Sequence, residues 1–372
     1  MTGFTFRTTP DARFGWGAAD ALGEAVAPLM RRALIVTDAN VRALDGFARA
    51  LASLEAAGVA VSIYDGVAPD PPVACVEAAT EAATAHGADG VIGFGGGSSM
   101  DTAKLAALLA RSPQPLEGAY GVGNCRGPRL PLACVPTTSG TGSEMTPISV
   151  LTKSETEKMG VSDWVLLPDL AVLDPALTAS VPPEHRAACG VDAMVHAIEA
   201  YSTKLLKNPV SDALAIEALR RLTAAAAPAM EGDEAALGEM LLGAMLAGKA
   251  FANAPCAAVH ALAYPLGARF HVTHGLSNAM LLAPVMRYNE PDCAALYARL
   301  GEAVFGTARD TVERFAGIGP ALGLPERLSA LGIPEDALAT MAADAMAQTR
   351  LLRNNPREVG EADALAIYRA AF

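Results

Sequence analysis

The chain has 372 residues, 52% hydrophobic and 18% charged, with a formal net charge of −12. This composition suits a folded protein with material for two cores and argues against disorder. The acidic balance argues against a general phosphate-binding surface, and so against nucleic acid as a partner.

Gly, Pro or charge interrupts each apolar run, so no membrane span is expected. The opening MTGFTFRTTPDARFGWG lacks the basic and apolar stretches of a secretion signal. Six cysteines (Cys75, Cys125, Cys134, Cys189, Cys256, Cys293) are scattered without a CxxC pair, which points to reduced thiols in a cytoplasmic protein.

The first half alternates short apolar strands with helical stretches. RALIVTDAN (32–40) predicts a strand through Leu34, Ile35, Val36 and Thr37 ending at Asp38, followed by a helical stretch to about Gly58. VAVSIYDGV (59–67) is a second strand and PPVACVEAATEAATAHGA (71–88) a helix. DGVIGFGGGSSMDTAKLAALLA (89–110) is strand, glycine turn and helix, and LPLACVPTTSGTGSE (130–144) runs from strand into a second polar loop. This rhythm predicts a mainly parallel sheet with helices on both faces and ligands at the carboxyl ends of its strands. Beyond residue 178 the texture changes to Ala, Leu and Met at helical spacing, as in ALAIEALRRLTAAAAPAM (213–230) and EMLLGAMLAGKAFANA (239–254). The expectation is an α/β, Rossmann-like domain over 1–178 and an all-helical domain over 179–372.

Gly95, Gly96, Gly97 and Ser98 lie between a strand and a helix, a geometry that lets backbone N–H groups and a helix N-terminus meet a phosphate. The second loop, Pro136 to Glu144, carries Thr137, Thr138, Thr141 and Ser143. Two such loops on one sheet edge suit the pyrophosphate and nicotinamide of a dinucleotide. Neither is a Walker lysine motif or G-x-G-x-x-G, which disfavours ATP hydrolysis. Asp38 suits the ribose 2′-OH of NAD and would repel the 2′-phosphate of NADP; a helix N-cap role is compatible with this. Asp101 and Lys104 either position the cofactor or cap and solvate their helix, and Lys158 is a candidate for a phosphate.

Asp192 and His196 fall four apart in GVDAMVHAIEAY (190–201), on one face of a predicted helix. His260 and His274 lie in VHALAYPLGARFHVTHG (259–275). Three neutral imidazoles and one carboxylate suit a borderline divalent cation such as Fe²⁺ or Zn²⁺.

GGGSSMDTAK (95–104), PTTSGTGSE (136–144), PDLAVLDP (168–175), the two histidine segments and RNNPR (353–357) occur in one order across nearly the whole chain. In these the sequence resembles the iron-containing (group III) alcohol dehydrogenases. The resemblance implies the fold shared with dehydroquinate synthase: a dinucleotide-binding domain, a helical metal domain and a cleft between them. It implies Asp192, His196, His260 and His274 as metal ligands, NAD as cofactor, a small alcohol or aldehyde as substrate, and a homodimer or higher homo-oligomer. Two positions depart from the family's pattern. Tyr264 stands where a catalytic histidine is frequent; the ordinary tyrosine pKa of about 10 suits proton exchange near neutrality less well. Thr273 stands where Pro usually precedes the last ligand.

His271, three residues before His274, either relays a proton, lines the substrate pocket or is structural. Glu199 is either a polar helix residue or support for a ligand histidine. Arg269 reads as a surface or domain-interface residue before a substrate anchor, Phe251 and Met194 as core, and His86 and His185 as structural or exposed. Hydroxyacid–oxoacid transhydrogenase with retained NAD and a lyase of the dehydroquinate synthase type are the rival activities.

Overall fold

The computed structural model describes residues 3–154 and 157–372. The chain divides into two compact units. One comprises Thr8–Thr138 with Gly142–Val181; the other comprises Pro182–Phe372, Ser139–Thr141 and the N-terminal segment through Arg7.

The first unit is built on β1 (Asp11–Phe14), β2 (Arg32–Val36), β3 (Ala60–Tyr64), β4 (Gly90–Gly95), β5 (Gly121–Val122), β6 (Leu132–Pro136), β7 (Ile148–Ser154), β8 (Glu157–Ser162) and β9 (Leu170–Leu173). Six of them form a sheet in the order β1-β9-β6-β4-β2-β3, with every pairing parallel. Its longer helices are α1 (Asp45–Ala56), α2 (Val73–His86) and α3 (Gly97–Leu109). The strands are apolar on both faces because both are covered. Ala33, Ile35, Ile92, Phe94, Ala133 and Val135 pack with Phe47 and Leu54 of α1. The alternate residues Leu34, Val36, Val91, Leu132 and Cys134 pack with Ala79 and Ala83 of α2 and Met100 and Ala103 of α3. That is the period-two alternation of a strand.

Two features depart from the sequence reading. Asp11–Phe14 is an exposed edge strand paired with β9, Asp11 opposite Leu170. β7 and β8 form an antiparallel pair that β5 extends, giving a second, three-stranded sheet.

The sheet order reverses direction at β2 and β4. From β2 the chain steps outward to β3, then returns to β4 on the other side of β2 and continues to β6. The carboxyl ends of β2 and β4 therefore flank the switch point, where open α/β sheets bind ligands. Asp38 follows one end and Gly96 the other.

The second unit contains α4 (Pro183–Ser202), α5 (Pro209–Met230), α6 (Glu234–Asn253), α7 (Ala258–Phe270), α8 (His274–Phe305), α9 (Ala337–Ala345) and α10 (Glu361–Ala371), with shorter turns between them. By length and composition alone, α6 is apolar enough to cross a membrane. Its Leu237, Met240, Leu241, Ala244 and Ala247 are buried against the rest of the unit, as in a core helix.

Candidate functional site

Asp192 and His196 sit one turn apart on α4, His260 near the start of α7, and His274 is the first residue of α8. One potential ligand atom from each lies within 4.8 Å of all the others. Asp192, His196 and His260 are buried, and His274 is half-buried. Gly275 makes the convergence possible: a Cβ there would lie 2.8 Å from the Ala188 carbonyl oxygen and 3.4 Å from Asp192 Cβ. Any side chain would push the start of α8, and His274 with it, away from α4.

The donor chemistry fits a divalent cation. Nε2 of His196 and Nε2 of His260 are 3.0 Å apart. Nδ1 of His260 lies 2.6 Å from Glu199 Oε2; a carboxylate there accepts a hydrogen bond from Nδ1–H, which leaves Nε2 to face a cation. Two imidazole nitrogens cannot rest at that separation unless a proton or a cation relieves them. Burial drives the His196 pKa down to about 3 against the pull of Asp192, with repulsion from His260 and His274 adding to the fall and the Gly140 backbone opposing it. His260 is pushed up: burial opposes its charge, but Cys256 and Glu199 overcome that. Burial alone would raise Asp192, yet the three imidazoles and the Asn278 amide hold it below the ordinary carboxylate range. An ionised carboxylate beside a neutral imidazole is the protonation state a cation needs.

The sequence reading missed Asn278. It is fully buried, one turn after His274. Its Nδ2 donates to Asp192 Oδ1 at 2.6 Å and lies 3.2 Å from Nε2 of both His260 and His274, while its Oδ1 is buried with no hydrogen-bond partner. The i,i+4 spacing from His274 was the available signal. Phe251, read as core, stacks on His196 with ring centroids 4.3 Å apart and planes at 15°.

At the sheet's switch point, Asp38 Oδ1 accepts from the backbone N–H groups of Asn40 (2.9 Å) and Val41 (3.0 Å). A Cβ on Gly95 would lie 3.7 Å from Asp38 Oδ2, so the carboxylate borders the glycine turn. α3 starts at Gly97 behind Gly96, which has no side chain to cap it. Ser98 and Thr138 are half-buried and Thr137 is buried. The Thr137 N–H donates to the Gly95 carbonyl at 3.0 Å, and the Thr138 hydroxyl lies 3.8 Å from the Cβ position of Gly96. The loops after β4 and β6 are thus neighbours. Thr141 groups with the helical unit.

Residues 9–175 match the family model for iron-containing alcohol dehydrogenase, and residues 186–372 match that for the C-terminal part of the Fe-containing alcohol dehydrogenase family. The chain belongs to the iron-containing alcohol dehydrogenase family. It is 40% identical to long-chain-alcohol dehydrogenase 1 of Geobacillus thermodenitrificans, over 98% of this chain and 95% of that one. It is 34% identical to lactaldehyde reductase of Escherichia coli K12, over 97% of each. The solved alcohol dehydrogenase from Oenococcus oeni superposes with a TM-score of 0.95 at 30% identity and covers 100% of both chains. The protein is therefore an iron-type alcohol dehydrogenase, an alcohol/aldehyde oxidoreductase of a family that uses NAD(H) and a divalent metal.

The other candidate residues of this dehydrogenase make the following contacts. Asp101, read either as positioning the cofactor or as capping its helix, and Ser143, read as a cofactor contact, bond to one another. Ser143 Oγ donates to Asp101 Oδ1 at 2.6 Å, and the Val150 N–H donates to Asp101 Oδ2 at 2.8 Å. Lys104, fully buried, donates to Ser143 Oγ and to the Ile148 carbonyl at 2.6 Å each. This network ties α3 to the 143–150 segment, because a buried ammonium must be met by acceptors. Lys158, a candidate for a phosphate, pairs with Asp70 at 2.7 Å. Arg269 pairs with Asp344, in line with a surface role. His271 adopts the left-handed conformation that ends α7 (φ 56°) and is exposed, while the imidazole cluster is made by His196, His260 and His274. Tyr264 is buried on α7, its ring centroid 6.4 Å from that of His274.

Proposed function

We propose that the enzyme transfers hydride reversibly between NAD(H) and an alcohol or its carbonyl product, with Asp192, His196, His260 and His274 holding Fe²⁺; Zn²⁺ suits the same donors. The observation that carries this reading is the gathering of one carboxylate and three imidazoles within 4.8 Å in a chain of the iron-containing family. The bound cation would act as a Lewis acid toward the substrate oxygen.

The chain's own residues do the rest. Burial keeps His196 neutral, and Phe251 stacked against its ring restricts its rotation. Asp192 brings the negative charge that offsets a divalent cation. Tyr264, one turn after His260, exchanges the substrate proton. The glycine turn and the N-terminal turn of α3 take the pyrophosphate, with Thr137, Thr138 and Thr141 as further cofactor contacts. Asp38 takes the adenosine ribose and disfavours NADP. On this reading the α/β unit binds NAD and the helical unit carries the metal. The relatives' names support long-chain alcohols and lactaldehyde as the first substrates to try.

The test is NADH oxidation by anaerobically purified, Fe²⁺-loaded protein across a panel of aldehydes that includes lactaldehyde and longer aliphatic members. Turnover that a chelator abolishes and Fe²⁺ restores is expected. No turnover across the panel would overturn the proposal, and exchange between a hydroxy acid and an oxo acid without added NAD would move it to a transhydrogenase.

We also propose a homodimer formed along β1. That strand is an open sheet edge whose Phe14 and neighbouring Trp16 are 43% and 47% exposed. Trp16→Glu should halve the mass seen by light scattering; an unchanged mass would refute this interface. The six cysteines are free thiols, which supports a reducing, cytoplasmic location.

A further inference from the structure

Glu199 lies on α4, three residues beyond His196, and is 3% exposed. A buried carboxylate needs a reason, and both of its oxygens have one. Oε1 accepts the Val259 N–H at 2.7 Å, and Oε2 meets His260 Nδ1 at 2.6 Å. Both contacts fall on the first turn of α7, where N–H groups lack helical partners and negative charge is favoured. The residue before that helix, Ala257, supplies no side-chain cap. The Cys256 thiol also lies within 4.8 Å of the His260 and Glu199 ligand atoms, but the 2.6 Å contact of Nδ1 is with the Glu199 carboxylate.

We propose that Glu199 is a positioning residue of the metal centre, fixing His260 in the Nδ1–H tautomer so that its Nε2 lone pair faces Asp192, His196 and His274. The proposal rests on the reading of those four residues as ligands. It differs from simple helix capping in one respect: capping needs one acceptor for Val259, whereas orientation of His260 needs a second acceptor of full carboxylate character. Glu199→Gln separates the two. Its amide carbonyl can still serve Val259, but its NH₂ then faces Nδ1 and favours the opposite tautomer, placing a hydrogen on Nε2.

The experiment uses the full chain with ¹⁵N-labelled histidine, a readable spectrum because there are only six. Zn²⁺ is the diamagnetic probe. In the wild type His260 is expected to be protonated at Nδ1. In Glu199→Gln the Zn²⁺ affinity, measured by competition with a chromophoric chelator, is expected to fall about 10–100-fold. NADH affinity and the thermal midpoint of the metal-free protein should stay at wild-type values. Unchanged Zn²⁺ affinity in Glu199→Gln, or a wild-type His260 without a proton on Nδ1, would overturn the proposal. So would a fall in both thermal midpoint and Zn²⁺ affinity with the His260 tautomer unchanged, which is the signature of capping alone. If the variant does not fold, the wild-type tautomer decides. His260→Ala distinguishes the two levels of the argument. If it binds Zn²⁺ as the wild type does, the ligand reading itself fails. If it loses Zn²⁺ while Glu199→Gln does not, only the role of Glu199 fails.

Discussion

Gly95→Ala is the sharpest perturbation of the cofactor turn. Gly95 has φ 151°, a region reserved for glycine, so alanine there costs about 1–3 kcal/mol of backbone strain. The new Cβ would also lie 2.6 Å from Ser99 Oγ and 2.8 Å from Ser99 Cβ. Ser99 is 1% exposed in the first turn of α3, so relief requires that turn to move, at a further cost of about 1–3 kcal/mol. The sum, about 2–6 kcal/mol, lowers the thermal midpoint by roughly 2–4 °C per kcal/mol for a unit of this size. The displaced turn is also the one assigned to the pyrophosphate, so NADH affinity should fall with stability. Calorimetry and NADH fluorescence titration measure the two losses. The double variant Gly95→Ala/Ser99→Gly removes the clash but not the strain. It should recover the packing part, less about 0.5 kcal/mol for glycine in a helix. A Gly95→Ala protein with wild-type melting and wild-type NADH affinity would refute the reasoning.

Asp38→Ala should raise the ratio of NADP to NAD efficiency, read as kcat/KM for each cofactor, while losing about 0.5–2 kcal/mol of stability with its capping bonds. Cys134 is fully buried, and burial pushes its thiol from 9.0 up to about 12. Between those values the unfolded chain has released a proton that the folded chain keeps, so stability must fall as pH rises through that window; urea midpoints should drop less steeply there in Cys134→Ala. Thr273 has φ −58°, the value a proline ring imposes. Thr273→Pro should gain about 0.4–1 kcal/mol in calorimetry without changing metal affinity.

Much of the site was legible because its signals are local. The Asp192–His196 spacing reports a helical face, and Gly95 to Ser98 report a strand-to-helix turn, whatever surrounds them. The strands at Arg32–Val36, Gly90–Gly95 and Leu132–Pro136 stood out because residues buried on both faces leave continuous apolar runs. What was hidden depends on distant partners. Asp11–Phe14 carries no apolar pattern, being exposed throughout, and is a strand only through its pairing with Leu170–Leu173. Asp101 and Lys104 looked available to a cofactor because nothing local shows that both bond to Ser143, some 40 residues on. Lys158 likewise finds Asp70 through the fold of the small sheet. Asn278 escaped notice because carboxamides are not usual ligands, although it shares a helix face with His274.

The central claim is that Asp192, His196, His260 and His274 hold one cation. Anomalous diffraction at the iron edge, on crystals of Fe²⁺-loaded protein grown without oxygen, tests it in one measurement. The account predicts a single strong peak per chain, enclosed by the Asp192 carboxylate and the Nε2 atoms of the three histidines. A peak elsewhere in the chain, or none in crystals of a sample that turns over aldehyde, would contradict it.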